Sequence, residues 1–110
     1  MEIRKATEVF LQALEESPAF RDYKYQKERV KRVPGLADRI NEFRARRFEF
    51  QSYQGEDLFE KVDEFERKYE TFQEEPMVRE YLAAELEICR LVQEINDAII
   101  ELVDIDMEIM

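Results

Sequence analysis

Histidine is absent from the 110 residues, and cysteine occurs once. Without imidazole, general-base chemistry of the Ser-His-Asp and Cys-His kinds is excluded, and so are histidine-ligated metals. With one thiol the chain can build neither an internal disulfide nor a four-cysteine zinc or iron–sulfur site. Tryptophan is also missing, and there are only two glycines and three prolines. So little punctuation argues for long uninterrupted helices and against collagen-like, loop-rich and low-complexity classes. Apolar runs stop at about four residues, as in Tyr81-Leu82-Ala83-Ala84, against the ~20 needed to span a bilayer. The start, Met1-Glu2-Ile3-Arg4-Lys5, lacks the apolar stretch of a signal peptide. Together with the lone thiol this leads to the expectation of a cytoplasmic protein.

What the chain does have is charge. Charged residues make up 40% and apolar residues 45%, and 27 acidic against 17 basic groups give a formal charge of −10. The distribution is uneven. Residues 21–47 hold 10 basic and 4 acidic groups, whereas residues 48–110 hold 5 basic and 19 acidic ones. Polarity of this kind favours association with an oppositely charged partner or surface.

Helical spacing of apolar residues runs through nearly the whole sequence. Ile3, Ala6, Val9/Phe10 and Ala13/Leu14 mark a first helix. Ser17-Pro18 then forms a helix start, with Ser17 as N-cap and Pro18 at the first helical position, where no N–H is needed. The helix that follows is thinly apolar (Phe20, Tyr23, Val30). Val33-Pro34-Gly35 is a break. A third helix carries Leu36, Ile40, Phe43, Arg47 and Phe50, with Gly55 expected as its C-cap. Leu58/Phe59, Val62, Phe65, Tyr69 and Phe72 mark a fourth, and Pro76 opens the fifth.

The fifth helix carries two adjacent apolar stripes. One is Val78, Leu82, Glu85, Cys89, Val92, Ile95/Asn96, Ile99 and Leu102/Val103. The other is Tyr81, Ala84, Ile88, Leu91, Ala98 and Leu102. That arc is wider than a one-sided surface helix needs, and it extends over about 40 Å at 1.5 Å per residue. A small chain cannot readily cover it, so a homodimer or a heteromer with a homologous partner is expected, with Tyr81, Ala84, Ile88, Leu91 and Ile95 at the interface. The expected fold is an all-α single domain over 1–110, four to five helices with a long C-terminal one. Residues 103–110, alternating apolar and acidic, read as a frayed tail.

Three features could carry chemistry or binding. Glu85 sits inside an apolar stripe, but di-iron bundles pair such a Glu with His, and an interhelical pair with Arg79, Arg44 or Arg47 is the simpler expectation. Cys89 is expected to be a buried, structural thiol. Arg44-Ala45-Arg46-Arg47-Phe48-Glu49-Phe50 interleaves arginine with aromatics, and Arg44, Arg46 and Arg47 are the candidate partner-binding residues. This stretch reads as a solvated basic face, a protein-recognition surface or an RNA-binding surface. No phosphate-binding loop, dinucleotide fingerprint or zinc spacing occurs.

Glu75-Pro76-Met77-Val78-Arg79-Glu80-Tyr81-Leu82-Ala83-Ala84-Glu85-Leu86-Glu87, followed by Leu91-Val92-Gln93-Glu94-Ile95-Asn96-Asp97-Ala98-Ile99, resembles the signature of the YlbF/YmcA family of small helical bacterial proteins. Ser17-Pro18 with Phe20 and Tyr23, the break at Pro34, and Leu36, Ile40 and Phe43 agree with it. The resemblance covers roughly residues 3–103. It implies a cytosolic, self-associating helical protein without a catalytic residue. It further implies, for the regulatory branch, a role in competence, sporulation and biofilm formation through a complex tied to mRNA processing by ribonuclease Y. The iron–sulfur clusters attributed to that complex are not carried over, because Cys89 is the only thiol. No cofactor is expected.

Overall fold

The computed structural model describes residues 1–104, and the expectations for the alternating tail at 105–110 lie outside them. Five helices follow one another: α1 (Ile3–Glu15), α2 (Pro18–Lys31), α3 (Leu36–Ser52), α4 (Leu58–Glu74) and α5 (Pro76–Val103). Among the described residues there is no strand, and the protein is all-α with a dominant C-terminal helix of 28 residues.

The boundaries follow from local chemistry. Ser17 Oγ accepts a hydrogen bond from the Phe20 N–H at 3.3 Å, the N-cap geometry that satisfies an otherwise orphaned donor. Gly35 precedes α3 with φ +76°, and its carbonyl accepts from Arg39 N–H at 3.1 Å. Only glycine adopts that left-handed backbone at no steric cost. At α5, Pro76 occupies the first turn, while the Glu75 carbonyl accepts from Arg79 N–H at 2.9 Å. Asp104 closes α5 in the left-handed region (φ 57°), with its N–H on the Ile100 carbonyl at 2.8 Å.

Gly55 does not do what its spacing suggested. α3 ends at Ser52, with Tyr53 as the extended C-cap residue. Gly55 instead leaves room for Tyr53, whose ring and hydroxyl would have to shift if a Cβ stood there.

The chain divides into two compact units: Tyr25–Leu82, and Met1–Lys24 with the chain from Ala83 on. In the first, α3 packs on α4 through an aromatic cluster. Phe43, 1% exposed, stacks on Phe65 at 5.5 Å and meets Tyr69 at 5.3 Å and Phe72 at 5.8 Å. Offset and edge-on pairs of this kind add attraction beyond the area they bury. Val30, Leu36, Ile40 and Val78 are buried in the same unit. Arg29 ties α2 to α5 there. Its guanidinium donates to Glu80 at 2.6 Å and to Gln26 at 2.9 Å, and the Glu80 hydrogen bond holds its pKa above the ordinary value.

In the other unit α1 buries none of its residues, although its apolar spacing is strongly helical. Ile3, Val9, Phe10 and Leu11 are all exposed. Of α5, Ala84 and Ile88 are buried, while Leu91, Ile95 and Ile100 are half-buried.

Candidate interaction surfaces

The basic helix α3 separates its three candidate arginines. Arg44 is half-buried, its Nε is fully enclosed, and its guanidinium lies over the Tyr81 ring at 5.4 Å. It is therefore part of the packing of its unit. Arg46 and Arg47 are exposed. Arg46 makes a loose pair with Glu49 at 3.8 Å, and Arg47 covers the edge of the core by lying 5.7 Å above the Phe43 ring. Beside them Phe48 is 68% exposed. Sequence reasoning passed over Phe48, yet its sign was legible: it is the one aromatic of α3 off the stripe of Phe43 and Phe50.

Next to this face α3 and α4 frame a cleft of about 340 Å³ lined by Arg46, Phe50, Tyr53, Lys61, Phe65 and Lys68, among others. Lys61 sits over the Tyr53 ring at 5.2 Å and Lys68 over the Tyr69 ring at 5.4 Å. The Tyr69 hydroxyl is buried in this cluster with no hydrogen-bond partner among the described residues. Tyr53 donates a short hydrogen bond to Asp57. That bond, aided by desolvation and by the carboxylate's charge, raises the phenol above its usual pKa. It also lowers Asp57, helped by a backbone hydrogen bond and the charge of Lys61 and opposed by desolvation.

A fourth arginine of α3, Arg39, pairs with Glu75 at 3.2 Å and lies 4.8 Å over Phe72. Glu75 thus does more than precede α5: it anchors α3 to the α4–α5 junction.

α5 shows the largest departure from expectation. Tyr81, Ala84 and Ile88 are 7%, 3% and 8% exposed within the single chain. They have little area left to bury against another surface. Leu91 and Ile95 are half-buried. The other stripe, buried at Val78, is open at most of its positions from Cys89 on. Cys89 is exposed, not buried as its spacing suggested, and Leu86, Val92, Ile99, Leu102 and Val103 are exposed with it. The two stripes lie side by side on one helix, and the chain has only enough neighbouring structure to cover one of them. Glu85, between the stripes, is half-buried. Among the described residues no group of three or more histidine, cysteine or acidic side chains could hold a metal ion, and no helix is long and apolar enough to cross a membrane.

Comparison with known proteins gives a consistent set of relatives. The family described as control of competence regulator ComK, YlbF/YmcA, matches residues 3–104. The chain is 32% identical to a UPF0342 protein of Desulfitobacterium hafniense, over 98% of its own length and 93% of the relative's. It is 31% identical to a UPF0342 protein of Symbiobacterium thermophilum, over 86% and 88%. A UPF0342 protein of Caldicellulosiruptor bescii is 26% identical over 88% and 84%. No solved structure matches the chain.

Proposed function

The chain belongs to the YlbF/YmcA family, and we propose that it is a non-enzymatic regulatory adaptor that acts through protein–protein contacts. The family's description as a control of the competence regulator ComK supports a regulatory role. The proposed setting is the cytoplasm, in the control of competence, sporulation or biofilm formation through an mRNA-processing complex linked to ribonuclease Y. Copies of the chain or homologous family members are the proposed companions.

One observation carries the adaptor reading. Arg46, Arg47 and Phe48 are each exposed on α3, fanned round the helix. Arginine and large aromatics are the side chains that dominate binding hot spots, since each combines apolar area with directional polar contact. Among the described residues neither arginine is held in a close ion pair, so both can meet an acidic partner surface.

The test is affinity capture from the native cell, followed by a measured affinity for the partner identified. Arg46→Glu with Arg47→Glu should weaken that complex at least tenfold, through loss of charge complementarity and a slower on-rate. Unchanged affinity in a folded double variant would remove this surface from the functional account.

The cleft beside it, lined by Arg46, Lys61 and Lys68 with Phe50 and Tyr53 and also by Glu49 and Glu64, gives a second reading as an RNA-binding accessory. Cations beside stackable rings are what single strands require. Steeply salt-dependent binding of generic RNA would support that reading, and binding confined to protein would exclude it.

A further inference from the structure

Arg21, Lys24, Lys27 and Lys31 follow one another along α2 at spacings of three and four residues, and Arg32 stands just past the last turn. Such spacing sets side chains in one row on a helix. All five are exposed. The opposite side of the helix carries Gln26 and Val30, 8% and 3% exposed, so burial holds the row outward. One acid, Glu28, stands beside the row, and Asp22 falls off it. Among the described residues Glu28 pairs with none of these cations, and Arg21, Lys24, Lys31 and Arg32 form no ion pair. In a chain with 27 acidic groups against 17 basic ones, four unmatched cations on one helix leave a locally positive surface on an acidic molecule.

We propose that this row binds the phosphate backbone of single-stranded nucleic acid, with a base stacked on Tyr25. Tyr25 is 61% exposed and stands four residues after Arg21. Arg29 lies over its ring at 5.6 Å and is itself held by Glu80 at 2.6 Å. A row of cations that tracks phosphates and an aromatic ring that takes a base are the two parts a single strand requires.

The make-up of the surface selects this partner over the other polyanions. Protein interfaces are depleted in lysine and built round an apolar centre. Here three of the five cations are lysine, and Tyr25 is the only large apolar side chain exposed on α2. A membrane surface takes a helix that inserts an apolar face, and on α2 the side that carries Val30 is buried in the fold. From Arg21 to Lys31 the row runs about 15 Å at 1.5 Å per residue. A strand carries one charge per ~3.4 Å, so the row passes about four phosphates. The cleft between α3 and α4 shares no lining residue with it, and the two surfaces are tested separately.

Fluorescein-labelled oligouridylate and oligodeoxythymidylate are titrated with the full chain over a salt series, with polyglutamate and phosphatidylserine vesicles as competitors. Log affinity should fall against log salt with a slope of about −2 to −3, as for three or four phosphate contacts on a single strand. Lys24→Glu with Lys31→Glu should keep the helix content, weaken binding at least tenfold and flatten the slope by about 1–1.5. Lys24→Gln with Lys31→Gln, which removes the charges without reversing them, should flatten it as much. Tyr25→Ala should weaken binding roughly fivefold or more and leave the slope unchanged. Equal affinity for the two oligonucleotides assigns recognition to phosphate and base, and tighter binding of the ribose form adds the 2′-hydroxyl; either supports the proposal. No binding, a slope near zero, or normal binding by the folded Lys24/Lys31 variants would overturn it. So would competition by polyglutamate or vesicles as strong as by unlabelled oligonucleotide. Loss of binding on Lys61→Glu with Lys68→Glu, with the α2 variants unaffected, would overturn it in favour of the cleft. None of these results touches Arg47 or Phe48, so protein binding through α3 stands or falls separately.

Discussion

Arg44, Arg46 and Arg47 of α3 should respond very differently to charge reversal. Arg44→Glu removes a guanidinium lying 5.4 Å from the Tyr81 ring centre, worth about 1–2 kcal/mol for a partly desolvated cation–π contact. It also puts a carboxylate at a half-buried site against the negative face of the same ring, which costs about 1–3 kcal/mol more where hydrogen bonds to water are lost. The expected total is about 2–5 kcal/mol. Arg46→Glu with Arg47→Glu breaks one exposed pair at 3.8 Å and one loose ring contact at 5.7 Å. Exposed pairs contribute about 0–1 kcal/mol each, so the double change should cost about 1 kcal/mol or less. Urea titration followed by far-ultraviolet circular dichroism separates the two cases. With m of about 1–3 kcal/mol/M, the midpoint should fall by roughly 1–3 M for Arg44→Glu and by about 0.5 M for the double variant. Equal shifts, or a larger one for the double variant, would refute the division of α3 into a packing arginine and two surface arginines. The comparison also guards the functional test, because only the double variant leaves the fold intact while the surface is reversed.

Phe43→Ala should destabilise by about 3–5 kcal/mol, since Phe43 is 1% exposed at the centre of the Phe65–Tyr69–Phe72 cluster; a loss under about 1 kcal/mol by urea titration would mean that the cluster is not the core of its unit. Tyr53 should titrate above the ordinary tyrosine value of about 10, because its hydroxyl donates to Asp57. The link is complete below the ordinary phenol value and is lost as pH rises through the raised one. On the acid side it is complete above the ordinary carboxyl value of about 3.9 and is lost as pH falls through the lowered pKa of Asp57. Asp57→Asn should return the phenol's ultraviolet titration toward its ordinary midpoint, and an unmoved midpoint would dissociate the shift from this hydrogen bond.

Much of the architecture was legible in residue order. Five helices, the Ser17-Pro18 start, the Pro34-Gly35 break, the Pro76 start and the inward stripe of Leu36, Ile40 and Phe43 all follow from spacing and capping. These depend on the chain's nearest few neighbours, which a linear sequence contains. So does the double apolar arc of α5. What residue order could not assign was the use of each stripe, because two adjacent helical stripes are equivalent until other helices are placed. Tertiary packing buries Tyr81, Ala84 and Ile88 and leaves Cys89, Val92 and Ile99 exposed. It draws Arg44 over Tyr81 while Arg46, two residues away, stays in solvent. It also makes Gly55 a residue that leaves room for Tyr53 rather than a helix cap. Each of these outcomes depends on contacts between residues far apart in sequence, where the space left by one helix decides which side chain of another is covered.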